Sequence, residues 1–255
     1  MSVSAAQSGA ATRGLTLIEL LIALALTAVL VLGLVQVVSA ASAASSLQRN
    51  QAQLLDRARF AIGTLGRATR QAGYRPEPWS VTYDPAALAD GNLDGASAAG
   101  DRLALRGWSD LNCFDNRNPD RDADGRPLYY LRESVFDLNA AGNLAHTCRY
   151  GPTPMELTTQ IRRQGLVPGV EAFQVLFGED GDADGNIDAW VRAGQWADPR
   201  RVLGLRIGLL LASDDAVAEP AGQTFELLDD TRQAPADGKL RRLFEFAIAL
   251  RGRAG

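Results

Sequence analysis

Three acidic stretches hold the residues best suited to grip a metal ion. Asp180, Asp182, Asp184, Asn186 and Asp188 place an oxygen at every second position, with Gly185 sixth and Ile187 eighth in the run. Hard oxygens at that spacing suit Ca2+. The twelfth position, where a bidentate glutamate would close the shell, is Val191. Asp188, a water or another segment would therefore have to finish it. The same residues also suit a hairpin turn between Phe177 and Trp190, since Asp and Gly favour turn backbone, and both readings stay open. Asp120, Asp122 and Asp124 repeat the opening without later ligands, and Asp90, Asn92 and Asp94 echo it more weakly, so both read as loops.

Catalytic constellations are absent from the sequence. His146 is the only histidine, and no nucleophile elbow, phosphate loop or paired-histidine metal motif accompanies it, so it reads as a structural side chain and the chain as a non-enzyme. The formal charge of -4 argues against a generally basic nucleic-acid surface, with a local arginine patch left open. Arg162-Arg163, Arg200-Arg201 and Arg241-Arg242 read as solvated strand ends. Cys113 and Cys148 are the only cysteines. In an exported domain they would pair, stabilising the fold by about 4 kcal/mol through loop closure; otherwise they are two buried thiols.

One further charge has to be explained. Residues 15–38, LTLIELLIALALTAVLVLGLVQVV, are long and apolar enough for a helix to cross a bilayer, and Glu19 alone interrupts them. A carboxylate inside such a span costs up to about 3 kcal/mol, so it needs a compensating partner. Cleavage after Gly14 would make Leu15 a free amine four positions before Glu19. In a packed bundle, the acid of one subunit would then neutralise the amine of another. A secretory signal peptide has a shorter apolar core, and a plain signal anchor has no need of the glutamate.

Arg13-Gly14-Leu15-Thr16-Leu17-Ile18-Glu19-Leu20-Leu21 resembles the class III signal of type IV prepilins, with Leu15 where that family usually has Phe. The resemblance implies that a prepilin peptidase cuts between Gly14 and Leu15 and N-methylates Leu15, making Glu19 the assembly charge at the fifth mature position. Arg67-Ala68-Thr69-Arg70-Gln71-Ala72-Gly73-Tyr74, Gly169-Val170-Glu171-Ala172-Phe173-Gln174-Val175 and Arg241-Arg242-Leu243-Phe244 resemble PilW-type minor pilins. That likeness implies a structural subunit in the initiation or tip complex of a type IV pilus. Its partners would be other minor and major pilins and, before assembly, the inner membrane, with the head in the periplasm and later at the cell surface. The alternatives are a minor pseudopilin of a type II secretion system or a tip-exposed module binding surfaces or DNA.

These features need an α+β frame. Leu47, Leu54, Ala58, Ile62, Leu65 and Ala72 recur at helical steps, and no proline precedes Pro76. The expected order is a leader (1–14), a transmembrane half-helix (15–38), an amphipathic half-helix (39–75) and an α+β head (76–255) packed on that helix. Gly33 beside Gln36 is its weakest point. Strands are expected at Asp101 to Arg106, Pro127 to Glu133, Val170 to Phe177, Val202 to Leu211 and Leu243 to Leu250. The clearest alternation is Leu203-Leu205-Ile207-Leu209-Leu211 and Phe244-Phe246-Ile248-Leu250, as in half-buried antiparallel strands.

Overall fold

The computed structural model describes residues 16–80, 82–83, 86–95, 100–217 and 222–250. The chain divides into two compact units, residues 1–47 and 48–255. A single helix, α1 (Leu17–Gln71), contributes to both. It runs through Gly33 and Gln36 without a break, because Ala and Leu predominate and no proline interrupts the ladder. Gly73 ends it: φ is 74° there, a left-handed turn that costs glycine nothing, and its N–H is captured by the Arg106 carbonyl at 2.8 Å.

In the first unit the apolar half of α1 is exposed on every side. Leu17 is 78% and Val38 59% exposed, and one 18-residue window reaches a mean hydropathy of 2.7. The Thr27 hydroxyl, which lipid would not satisfy, donates to the Ala23 carbonyl at 2.7 Å.

The second unit is built on antiparallel strands. β1 (Leu103–Ser109), β2 (Tyr130–Leu138), β3 (Leu144–Gly151) and β4 (Thr158–Val167) form one sheet in chain order. With β5 (Val170–Glu179), β6 (Ala189–Val191), β7 (Val202–Ala216), β8 (Gln223–Leu227), β9 (Asp230–Ala234) and β10 (Lys239–Ala249), a second sheet runs β10-β7-β5-β6 and a hairpin pairs β8 with β9. β3, β4, β6, β8 and β9 add to the strands expected from alternation.

Register builds the core. Leu209 lies between Phe173 and Phe244, Ile207 between Val175 and Phe246, and Leu205 between Phe177 and Ile248. These rows pack against Leu54, Ala58, Ala61 and Leu65 of α1 and against Leu103, Leu105 and Phe136 of the first sheet. The two alanines, Ala58 and Ala61, add little side-chain bulk between the helix and the sheets. Ile62, expected on this stripe, is only half-buried, and Ala61 takes the inward position.

Two polar anchors lie inside. Arg241 is not a solvated strand end: its side chain is 2% exposed and forks between Glu171 (2.6 and 2.9 Å) and Asp237 (2.7 and 2.8 Å). Removing one partner would strand a buried charge, so the pair of carboxylates is the condition for burying it. Asp101, 4% exposed, accepts the N–H groups of Gly95 and Val175. Burial pushes its carboxyl up to about 6, against the pull of those two donors. His146 stacks on Phe136 with ring centroids 4.8 Å apart. Desolvation, helped by Arg132, lowers its imidazole to about 4.

These two groups oppose each other in acid. Asp101 titrates above its unfolded value, so it adds stability as pH falls through 6; His146 titrates below its unfolded value, so stability is lost as pH falls from 6.5 to 4. Each is worth about 3 kcal/mol. The native chain should therefore change little in denaturant midpoint between pH 6.5 and 4.5. Asp101→Asn should weaken and His146→Phe strengthen progressively over that range, and parallel pH profiles for both variants would refute the pairing.

Candidate functional site

At the start of α1 the sequence Thr16-Leu17-Ile18-Glu19 closes on itself. Glu19 Oε2 accepts the Thr16 N–H at 3.0 Å and the Thr16 hydroxyl at 2.9 Å, while the Glu19 N–H reaches Thr16 Oγ1 at 3.4 Å. This is a reciprocal capping box with Thr16 as N-cap and Glu19 at the third helical position. Thr16 was the functional residue that charge reasoning passed over, although its T-x-x-E spacing is a recognised helix-start signal. The acid thus has a local partner before any neighbour arrives. Gly14 and Leu15 lie outside the described residues.

Cys113 and Cys148 form a disulfide, 35 residues apart in sequence with Cα atoms 5.9 Å apart. Cys148 sits on β3 and is wholly buried, and the Cys113 N–H is held by Gln160 of β4 at 2.9 Å. The bond therefore ties the stretch after β1 to the middle of the first sheet.

The acidic loop between β5 and β6 brings together three of its five expected ligands. Oxygens of Asp180, Asp182 and Asp188 all lie within 4.8 Å of one another. Asp184 and Asn186 instead bind each other, Asn186 donating from its backbone at 2.8 Å and its amide at 2.9 Å, which lowers the Asp184 carboxyl. Asp180, nearly buried, accepts the N–H groups of Ala183, Asp184 and Gly185, and Asp188 accepts that of Gly181. Its carboxylates thus already act as turn formers, with further lone pairs available to a cation. Ile187 fixes the loop by packing over Gly178 and Gly204, where an added Cβ would lie 2.7 and 3.4 Å from its Cδ1.

The other acidic stretches are turns. Asp122 caps the N–H groups of Asp124 and Arg126, and Asn92 bridges Ala89 and Ala104. Asp94 pairs with Arg192 at 3.4 Å.

An apolar exposed half-helix opened by a capped acid, joined to an α+β head, is the layout of a type IV pilin. Residues 10–35 match the prokaryotic N-terminal methylation motif, and residues 137–252 match the family described as Type IV Pilus-assembly protein W. No curated protein and no solved structure matches the chain. The chain is therefore a type IV pilin-like protein. Within that class it is of the PilW type, a minor pilin of type IV pilus assembly, and both matched families are structural.

The cap carries its own test. Thr16→Val removes the hydroxyl and should cost the first turn about 1 kcal/mol, read as roughly fivefold faster amide exchange at Ile18 and Glu19 in micelles. Unchanged exchange would mean that the box does not hold the helix start.

Proposed function

We propose that this minor pilin enters the initiation or tip complex of the pilus after peptidase cleavage between Gly14 and Leu15, with Leu15 N-methylated. The observation that carries the reading is Glu19, held by Thr16 at the head of an otherwise apolar, uncovered half-helix. Cleavage leaves the new amine one residue before Thr16. In the free chain the cap answers the acid; in a packed bundle a neighbouring subunit's amine competes for the same oxygen, where low dielectric strengthens a charge pair over a neutral one.

Residues 15–38 span the inner membrane once, residues 39–75 carry the helix into the head, and residues 76–255 stand in the periplasm and later in the filament. Export to an oxidising compartment is supported by the Cys113–Cys148 bond. Other minor and major pilins pack along the helix, and their amines answer Glu19. Gly14→Ala should leave full-length protein in the membrane, while Glu19→Ala should be cut normally yet recovered with about tenfold less partner pilin. Mature-sized Gly14→Ala protein, full recovery with Glu19→Ala, or capture of secretion pseudopilins in place of pilins would overturn the reading.

The acidic loop adds a cation site in this proposal. Asp180, Asp182 and Asp188 fit Ca2+ by donor type, and filling the loop would tie β5 to β6. Calcium at a hundredfold excess over its dissociation constant should stabilise the full chain in micelles by about 2.7 kcal/mol. Asp182→Ala should remove that gain in melting temperature, and a flat titration of the native chain would exclude the site.

A further inference from the structure

Tyrosine is scarce in this chain, with five residues in 255, and all five gather at one end of the first sheet. Tyr130 opens β2, Tyr129 precedes it, and Tyr150 closes β3 beside them. Register sets Ser109 opposite Tyr130 and Arg132 opposite Tyr150. Tyr74, just past α1, lies 6.3 Å from Tyr129, and Tyr83 meets Trp108 edge-on at 4.8 Å. Tyr130 and Tyr150 are 5.6 Å apart. Of the phenylalanines, Phe136, Phe173 and Phe177 are fully buried in the core, while Phe60 and Phe114 are exposed. Tyr74, Tyr83, Tyr129 and Tyr130 reach the surface at this end, whereas Tyr150 is buried.

That surface is concave. Two cavities of about 290 and 390 Å3 share Trp108 and Tyr129 in their walls. Arg132 lines the first; its Nη1 reaches the exposed Asp115 at 3.0 Å, while its buried Nε–H meets no acceptor among the described residues. Trp79, in the segment from Tyr74 to Tyr83, is 82% exposed. Burial raises the phenol of Tyr150 to about 12 and those of Tyr83 and Tyr129 above the usual range. These three phenols therefore stay protonated, and Tyr150 donates its proton to the Ser109 carbonyl as Tyr130 does to Asp120.

We propose that this aromatic pole is a carbohydrate-binding site. Rings with an apolar face and a polar edge match a pyranose, whose C–H face stacks and whose hydroxyls need partners. Arg132, in the wall of the first cavity, supplies a guanidinium for a ring hydroxyl or carboxylate. A protein partner would be met by a flatter surface, whereas paired cavities of this size accept single sugar units.

The test uses the full chain in an amine-oxide detergent, which carries no sugar headgroup. Chitobiose, lactose, mannobiose and glucuronic acid are titrated by tryptophan fluorescence and saturation-transfer NMR. At least one should saturate in the millimolar range. Tyr129→Ala should weaken it about tenfold, Tyr129→Phe should retain most of the binding, and Trp190→Phe, on β6, should leave it unchanged. Tyr74→Ala, at the half-exposed rim, gives a second reading should Tyr129→Ala lose its fold. Failure of all four sugars to saturate, or equal binding by the alanine variants, overturns the proposal. Loss of another pilus protein from pull-downs of these variants, without sugar binding, would make the pole a protein seat instead.

Discussion

Water cannot accept the outer surface of residues 17–38, and every other property of the molecule follows from that exclusion. A helix apolar on all sides is stable only in lipid or among other helices, since hiding each large side chain is worth about 1.5–3 kcal/mol. The second half of the same helix solves its problem internally, against two sheets. The chain therefore folds its head alone but leaves the other half to be covered by lipid or by related subunits. An assembly role is the natural reading of such a division, and the two family matches agree with it.

The cap at Thr16 refines how an acid is carried in lipid. A bare carboxylate would resist insertion; one that accepts two donors from Thr16 is partly answered before assembly. The interaction expected from the sequence, with a neighbour's amine, has to displace an existing contact. In the proposed assembly this end would exchange partners, and the gain would be the difference between a charge pair and a neutral cap.

Much of this was legible in the residues, and the exceptions have physical reasons. The long helix followed from the absence of proline and the recurrence of small apolar residues. β5, β7 and β10 followed from alternation, because a half-buried strand has to alternate. β3 and β4 did not. β4, a sheet edge, mixes Arg162, Arg163 and Gln164 with Leu166 and Val167, and its exposed face and free edge impose no apolar period. Arg241 was misread as solvated because Glu171, one of the acids that permit its burial, stands 70 residues away. In the acidic loop the spacing was right for five ligands, but only the backbone path shows that Asp184 and Asn186 turn to each other.

The Cys113–Cys148 bond gives the subunit a history. Thiols stay reduced in the cytosol, so with the head in the proposed periplasmic orientation the stretch between β1 and β2 would be fastened to β3 only after it had crossed the membrane. The aromatic pole borders that stretch, with Tyr130 and Tyr150 packed beside the two sulfurs. In that orientation oxidation would act as a timestamp: a copy still inside the cell would lack the bond that fastens this end of the first sheet.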